Sequence, residues 1–157
     1  MTTIRAGLFS IIFLGLFSQQ ALADWKTSPE IFEAIYYADA NPDVEKIFKY
    51  DEARLTKHWL DNGLKEGRVS SPVFSVRYYL QKNPDLQKAF GKHNFEKAAH
   101  HWVTSGIQEG RASSPEFKVK VYLKKNPDVA RKYGKKNYEA AVKHYLSNGY
   151  KENRKAN

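Results

Sequence analysis

The sequence predicts an all-α protein in which tandem repeats of about 43 residues stack into one domain. The tripeptide Asn-Pro-Asp occurs three times, at steps of 42 and 43 residues, starting at Asn41, Asn83 and Asn126. A histidine followed by Trp or Tyr also recurs, at steps of 43 residues, at His58, His101 and His144. Such a period indicates copies of one unit that is too small to bury its apolar face alone. The predicted repeats are residues 28–70, 71–113 and 114–157.

The first helix of each repeat is predicted to begin at a Ser-Pro step, with serine as the N-cap and proline as the first helical residue. These steps start at Ser28, Ser71 and Ser114. The helix should end before Asn-Pro, because a residue that precedes proline avoids the α region. Residues 117–122 alternate as a strand would, but the matching residues of the other repeats do not, so helix is predicted in all three.

The second helix is predicted to begin after Asn41, Asn83 and Asn126, which would cap it with proline in the next position. It should end at Gly91 and Gly134, whereas the first repeat has no glycine there. Asp51, Asn94 and Asn137 are the predicted N-caps of the third helix.

The third helix is predicted to end at a glycine that adopts the left-handed conformation. Gly63, Gly106 and Gly149 have apolar residues four positions before and one position after them, as in a Schellman motif. An arginine follows each glycine, at Arg68, Arg111 and Arg154. We expect this arginine to bond carbonyl groups at a helix C-terminus, while the nearby glutamate meets a neighbouring helix start.

Aromatic residues recur at four positions of the repeat, where we expect them to form the core. Those outside the shared frame are candidates for stacking on a glycan: Trp25, Tyr36, Tyr78 and Tyr150. The three repeated histidines are interpreted as structural, since their spacing is not that of metal ligands. No cofactor is expected, and neither a nucleophile motif nor a phosphate-binding loop is present, so we expect no enzymatic activity.

The first 23 residues are predicted to be a cleaved signal peptide. Arg5 precedes an apolar run from Ala6 to Phe17, and Ala21-Leu22-Ala23 fits a cleavage site. The chain has no cysteine, so disulfides and thiolate chemistry are excluded. Because of the predicted signal peptide, we expect an exported bacterial protein, periplasmic or secreted. Residues 24–157 would then form one mature domain that has no membrane span.

The combined pattern Y-Y-L-x-x-N-P-D-L…A-x-x-H-W-x-x-x-G-x-x-E-G-R covers nearly all of residues 28–154. It resembles tandem repeats of bacterial secreted and surface proteins, some of which lie beside glycosyltransferase-like modules. The resemblance implies an accessory module at the cell envelope, in a carbohydrate context. It implies no catalytic residue.

Charge is distributed unevenly along the repeats. Residues 24–70 carry 7 basic and 10 acidic side chains, whereas residues 114–157 carry 12 basic and 4 acidic ones. The charge of the third repeat is either a solvated face that aids solubility or a polyanion site. Its candidate contacts are Lys118, Lys120, Lys124, Lys125, Arg131, Lys132, Lys135 and Lys136.

Two functions follow from this gradient of charge. The first is a non-catalytic module whose third repeat binds an anionic envelope polymer: acidic polysaccharide, lipopolysaccharide phosphate or extracellular nucleic acid. The second is self-association or docking to a protein partner, in which the acidic first repeat meets the basic third repeat head to tail.

Overall fold

The computed structural model describes residues 25–157 and confirms the all-α class. These residues form short helices packed against one another, with no β-strand among them. The predicted signal peptide lies outside the described residues. A 3-10 turn, Trp25–Thr27, precedes three sets of helices. These are α1 Ala34–Ala40, α2 Pro42–Phe48 and α3 Glu52–His58; α4 Val76–Lys82, α5 Pro84–Phe90 and α6 Phe95–His101; and α7 Val119–Lys125, α8 Pro127–Tyr133 and α9 Tyr138–His144.

The predicted start of the first helix in each set is wrong. The helix begins six residues after the serine of the Ser-Pro step in the first repeat and five residues after it in the other two. The residue before each helix is extended: Glu33, Ser75 or Lys118. The backbone N–H of each of these residues donates to a carbonyl near the end of the same repeat, at 2.8, 2.9 and 2.8 Å. The acceptors are Ser70, Ser113 and Ala156. The Ser-Pro segment therefore runs as a turn that joins the two ends of a repeat.

The boundaries of the second helix and the caps of the third are confirmed. The side chains of Asp51, Asn94 and Asn137 accept hydrogen bonds from the first turn of α3, α6 and α9. The second helix ends at Gly91 and Gly134, both with positive φ. In the first repeat Lys49 takes this position with a φ of 53°.

The repeated asparagine precedes the second helix as predicted, but its side chain does not cap that helix. Asn41 is buried, and its amide donates to the carbonyls of Tyr37 and Val69, both at 2.8 Å. The amides of Asn83 and Asn126 donate in the same way to Tyr79 and Tyr122, at 2.7 and 2.8 Å. The asparagine thus fixes the corner between the first and second helices.

The repeated arginine bonds the start of the second helix, not the helix C-terminal carbonyls that the sequence suggested. Arg68 lies 2.8 Å from the Asp43 carboxylate, and the same pairs form between Arg111 and Asp85 at 2.8 Å and between Arg154 and Asp128 at 2.6 Å. Each arginine also contacts the glutamate two residues before it. The hydrogen bond from Arg68 lowers the pKa of Asp43.

The predicted helix end at the repeated glycine is wrong. Gly63 has a right-handed φ of −54°, and it lies inside a π-helical turn, Trp59–Gly63, that prolongs α3 into Leu64–Glu66. Turns of the same kind, Trp102–Gly106 and Tyr145–Gly149, follow α6 and α9. The left-handed residue comes four positions later, at Gly67, Gly110 and Asn153.

A buried tyrosine explains why glycine occupies this turn. A Cβ atom on Gly63, Gly106 or Gly149 would overlap the hydroxyl of Tyr37, Tyr79 or Tyr122 respectively. The same hydroxyl lies 2.9, 2.8 and 2.7 Å from Nδ1 of the repeated histidine in the three repeats. His58, His101 and His144 are therefore packed against the core, as the structural interpretation expected.

Aromatic rings form the centre of each repeat. The Phe32 and Trp59 rings stack with centroids 5.5 Å apart, and those of Phe74 and Trp102 stack at 5.6 Å. In the third repeat the Phe117 ring lies 4.6 Å from that of Tyr145.

Neighbouring repeats meet where an aromatic ring packs on a left-handed glycine. The ring of Phe95 packs on Gly67, and that of Tyr138 packs on Gly110. The first and third repeats also touch, because the Tyr36 and Tyr150 rings meet edge to face with centroids 6.1 Å apart. The three sets of helices therefore contact one another within a single chain.

We expect Gly106→Ala to lower the free energy of unfolding by about 1–3 kcal/mol, since the added methyl group overlaps the Tyr79 hydroxyl. Tyr79→Phe removes this hydroxyl and its bond to His101, at a cost of about 1 kcal/mol. Urea denaturation of both single variants and the double variant measures the coupling. The double variant should be less destabilised than the sum of the two; strict additivity would contradict this account of the glycine.

Candidate functional site

A cationic groove lies between the first two helices of the third repeat. On α7, Lys120, Leu123 and Lys124 are spaced three and four residues apart, which places them on one face. On α8, Pro127, Ala130 and Arg131 have the same spacing. The two faces meet in a groove of about 570 Å³ that Lys135 completes. We call these seven residues the cationic groove.

The groove combines an apolar floor with a charged rim. Leu123 is buried, Ala130 is half-buried and the aliphatic ring of Pro127 lies beside them. The side chains of Lys120, Lys124, Arg131 and Lys135 are exposed around this floor. Among residues 25–157 no carboxylate lies within 4.0 Å of these four cations. The rim therefore presents positive charge that no neighbouring carboxylate neutralises.

The matching surface of the second repeat is smaller and less basic. Gln87 stands where the third repeat has Ala130, and its amide donates to the Leu80 carbonyl at 2.7 Å. The space left there is about 240 Å³. Gln81 occupies the position equivalent to Lys124, so the rim in the second repeat has one cation fewer than the rim in the third. The Gln87 side chain therefore lines the smaller groove at the position where the third repeat has only the methyl group of Ala130.

The matching surface of the first repeat is acidic. Asp39 and Glu45 stand where the third repeat has Lys124 and Ala130, and Tyr50 replaces Lys135. The Tyr50 hydroxyl donates to the Asp39 carboxylate at 3.0 Å, and this bond raises the pKa of Tyr50. The repeat frame therefore folds with either sign of charge at these positions.

Four of the eight predicted polyanion contacts lie in the cationic groove, and four lie outside its lining. Lys118 donates to the Pro115 carbonyl at 3.0 Å, and Lys125 donates to the Asn157 carbonyl. The Lys132 ammonium lies 5.0 Å from the centre of the Tyr133 ring. Lys136 is exposed beside Lys135. The apolar floor, by contrast, was not among the predicted site residues.

The candidate glycan-stacking aromatics do not converge. Tyr36 and Tyr150 contact each other, and the burial of Tyr36 raises its pKa to about 12. Tyr78 is half-buried beside the Lys82 ammonium. Trp25 lies edge to face with His100, at 5.0 Å, in a separate groove of about 560 Å³ on the second repeat.

The described residues offer neither a metal site nor a membrane-spanning helix. Residues 25–157 contain no cluster of three or more His, Cys, Asp or Glu side chains arranged to hold a metal ion. None of the helices described above has the length and apolar character that crossing a bilayer requires.

No protein-family model, curated protein or solved structure matches this chain.

We expect the groove cations to contribute little to stability, because no carboxylate pairs with them. A triple variant with Lys124→Gln, Arg131→Gln and Lys135→Gln should have a free energy of unfolding within about 0.5 kcal/mol of that of the parent. At low salt the variant should be slightly more stable than the parent, because like charges have been removed. Arg154→Gln, which removes a cation with two carboxylate contacts, should be less stable than the triple variant. Chemical denaturation at two salt concentrations tests this. A large loss of stability in the triple variant would show that these cations hold the fold.

Proposed function

We propose that the protein is an exported, non-catalytic binding module, and that its cationic groove binds an anionic polymer of the cell envelope. The observation that carries this proposal is the rim of four exposed cations around an open groove, none of which has a carboxylate partner among residues 25–157. Net positive charge in a concave site raises the local concentration of anionic ligands and attracts them at long range.

The alternative of a solvated face explains the charge less well. Solubility requires that charges be spread over the surface, with no preferred arrangement. Here Lys120, Lys124 and Arg131, from two facing helices, line one concave surface. The Lys120 ammonium also lies 5.6 Å from the centre of the Tyr138 ring. The first repeat places acidic side chains on the same frame, so the fold itself does not demand these cations.

Head-to-tail self-association is the second proposal, and two observations count against it. The Tyr36 and Tyr150 rings, which lie at the two ends of the repeat series, already contact each other within one chain. Identical molecules whose charge is strongly positive also repel each other at long range. Polymer binding therefore remains the leading proposal.

We also propose that the protein is exported to the bacterial envelope or beyond it. The basic residue, apolar run and predicted cleavage site in residues 1–23 support export. Acidic polysaccharides and phosphate-bearing glycolipids are anionic polymers and assemblies that an exported protein meets in a bacterial envelope.

We expect affinity for an acidic polysaccharide to fall steeply with salt. If the four rim cations each displace a counterion, the slope of log affinity against log salt should be about −3. The triple variant Lys124→Gln, Arg131→Gln and Lys135→Gln should bring this slope to about −1. Isothermal titration of the mature protein with oligogalacturonate at several salt concentrations measures both slopes.

The matched control changes the same charge elsewhere. Lys46, Lys65 and Lys151 are exposed and have no carboxylate partner among residues 25–157. Replacing these three residues with glutamine should preserve most of the affinity for oligogalacturonate and most of the dependence of that affinity on salt. Equal losses in the two triple variants would show that net charge, not the cationic groove, determines binding.

A further inference from the structure

We infer that the cationic groove accommodates a sugar ring of an acidic polysaccharide on its apolar floor, and that Ala130 determines this specificity. The inference rests on the proposed function, and it names the class of ligand that the same site takes. The floor of the groove points to a sugar ring, because attraction of an anion alone requires only the cations of the rim.

The floor has the chemistry of a surface that binds a ring. Leu123, Pro127 and Ala130 contribute only aliphatic carbon, and the groove of about 570 Å³ falls within the range of small-ligand sites. The C–H faces of a pyranose ring can pack on such carbon, while its carboxylate reaches a rim cation. Arg131 is suited to this contact, since a guanidinium binds a carboxylate with two parallel hydrogen bonds.

Phosphate polymers fit these residues less well. A linear phosphate chain has no apolar face and gains nothing from the aliphatic floor. A single nucleic-acid strand binds through aromatic side chains on which its bases stack, and the groove lining contains no aromatic residue. The observations therefore favour a carboxylated sugar over phosphate and over nucleic acid.

The repeats themselves identify Ala130 as the residue that opens the floor. In the second repeat Gln87 occupies the equivalent position, bonds the Leu80 carbonyl, and leaves about 240 Å³ in place of about 570 Å³. The first repeat has Glu45 at this position. A long side chain is therefore compatible with the frame here, and only the third repeat does without one.

Further cations suit a ligand that extends beyond one sugar. Lys118, Lys125, Lys132 and Lys136 lie on or beside α7 and α8, outside the groove lining. A polymer that places one ring on the floor has neighbouring carboxylates within the field of these side chains. A monosaccharide would leave them unused.

The test is Ala130→Gln, which copies the second repeat and leaves the charge unchanged. Its control is Ala130→Ser, which keeps a small side chain at the same position. Affinities for oligogalacturonate and for inorganic polyphosphate are measured by titration at one low salt concentration. We expect Ala130→Gln to weaken oligogalacturonate binding by roughly tenfold or more, as loss of an apolar contact does in a shaped pocket. Polyphosphate binding should change by less than about twofold, and Ala130→Ser should resemble the parent in both titrations.

Other results of these titrations would overturn either the inference about the sugar ring or the proposed function. Ala130→Gln could leave the affinity for oligogalacturonate unchanged, or lower the affinity for both ligands equally. In either case the floor does not hold a sugar ring, so this inference is overturned while the proposed function stands. If the parent binds polyphosphate but not oligogalacturonate, the site is a phosphate site and the inference is also overturned. If the parent binds neither ligand, the proposed function itself fails.

Discussion

Each repeat is closed by one contact that it makes with itself, in which a tyrosine hydroxyl lies against a glycine and a histidine. Tyr79 crosses from α4 to the π-helical turn after α6, where its hydroxyl takes the space that a Cβ on Gly106 would fill and meets His101 at 2.8 Å. The π-helical turn sets the path of the chain to the left-handed Gly110, on which the next repeat packs Tyr138. Packing within a repeat and packing between repeats are therefore linked by one hydroxyl group.

Because these contacts are internal, the outer faces of the first two helices are free to vary. The same pair of helices has Asp39 and Glu45 in the first repeat, Gln81 and Gln87 in the second, and Lys124 and Ala130 in the third. A few exposed residues can therefore differ between repeats without changing the internal packing. The cationic groove differs from the matching surfaces in two ways, because it has more positive charge and a shorter side chain at Ala130.

The sequence predicted those features whose causes are local. Asn-Pro steps and the caps Asp51, Asn94 and Asn137 act within one helical turn, so their helix starts were found. The right-handed conformation of Gly106 was not predicted, because it depends on Tyr79, which lies 27 residues earlier in the chain. The Tyr79 hydroxyl in turn contacts His101 on another helix. The rim of the site was recognisable from charge, whereas Leu123, Pro127 and Ala130 are uncharged and belong to no motif that marks a groove. A comparison of Ala130 with Gln87 and Glu45 was the available signal.

We propose that one repeat of three binds the ligand, through the groove between its first two helices. The sharpest test is to titrate ¹⁵N-labelled mature protein with oligogalacturonate and follow the backbone amide resonances by NMR. We expect chemical-shift changes concentrated in residues 120–136, with little change in the equivalent residues 35–50 and 77–93. Shifts of equal size in all three repeats, or shifts centred on the separate groove at Trp25 and His100, would contradict it.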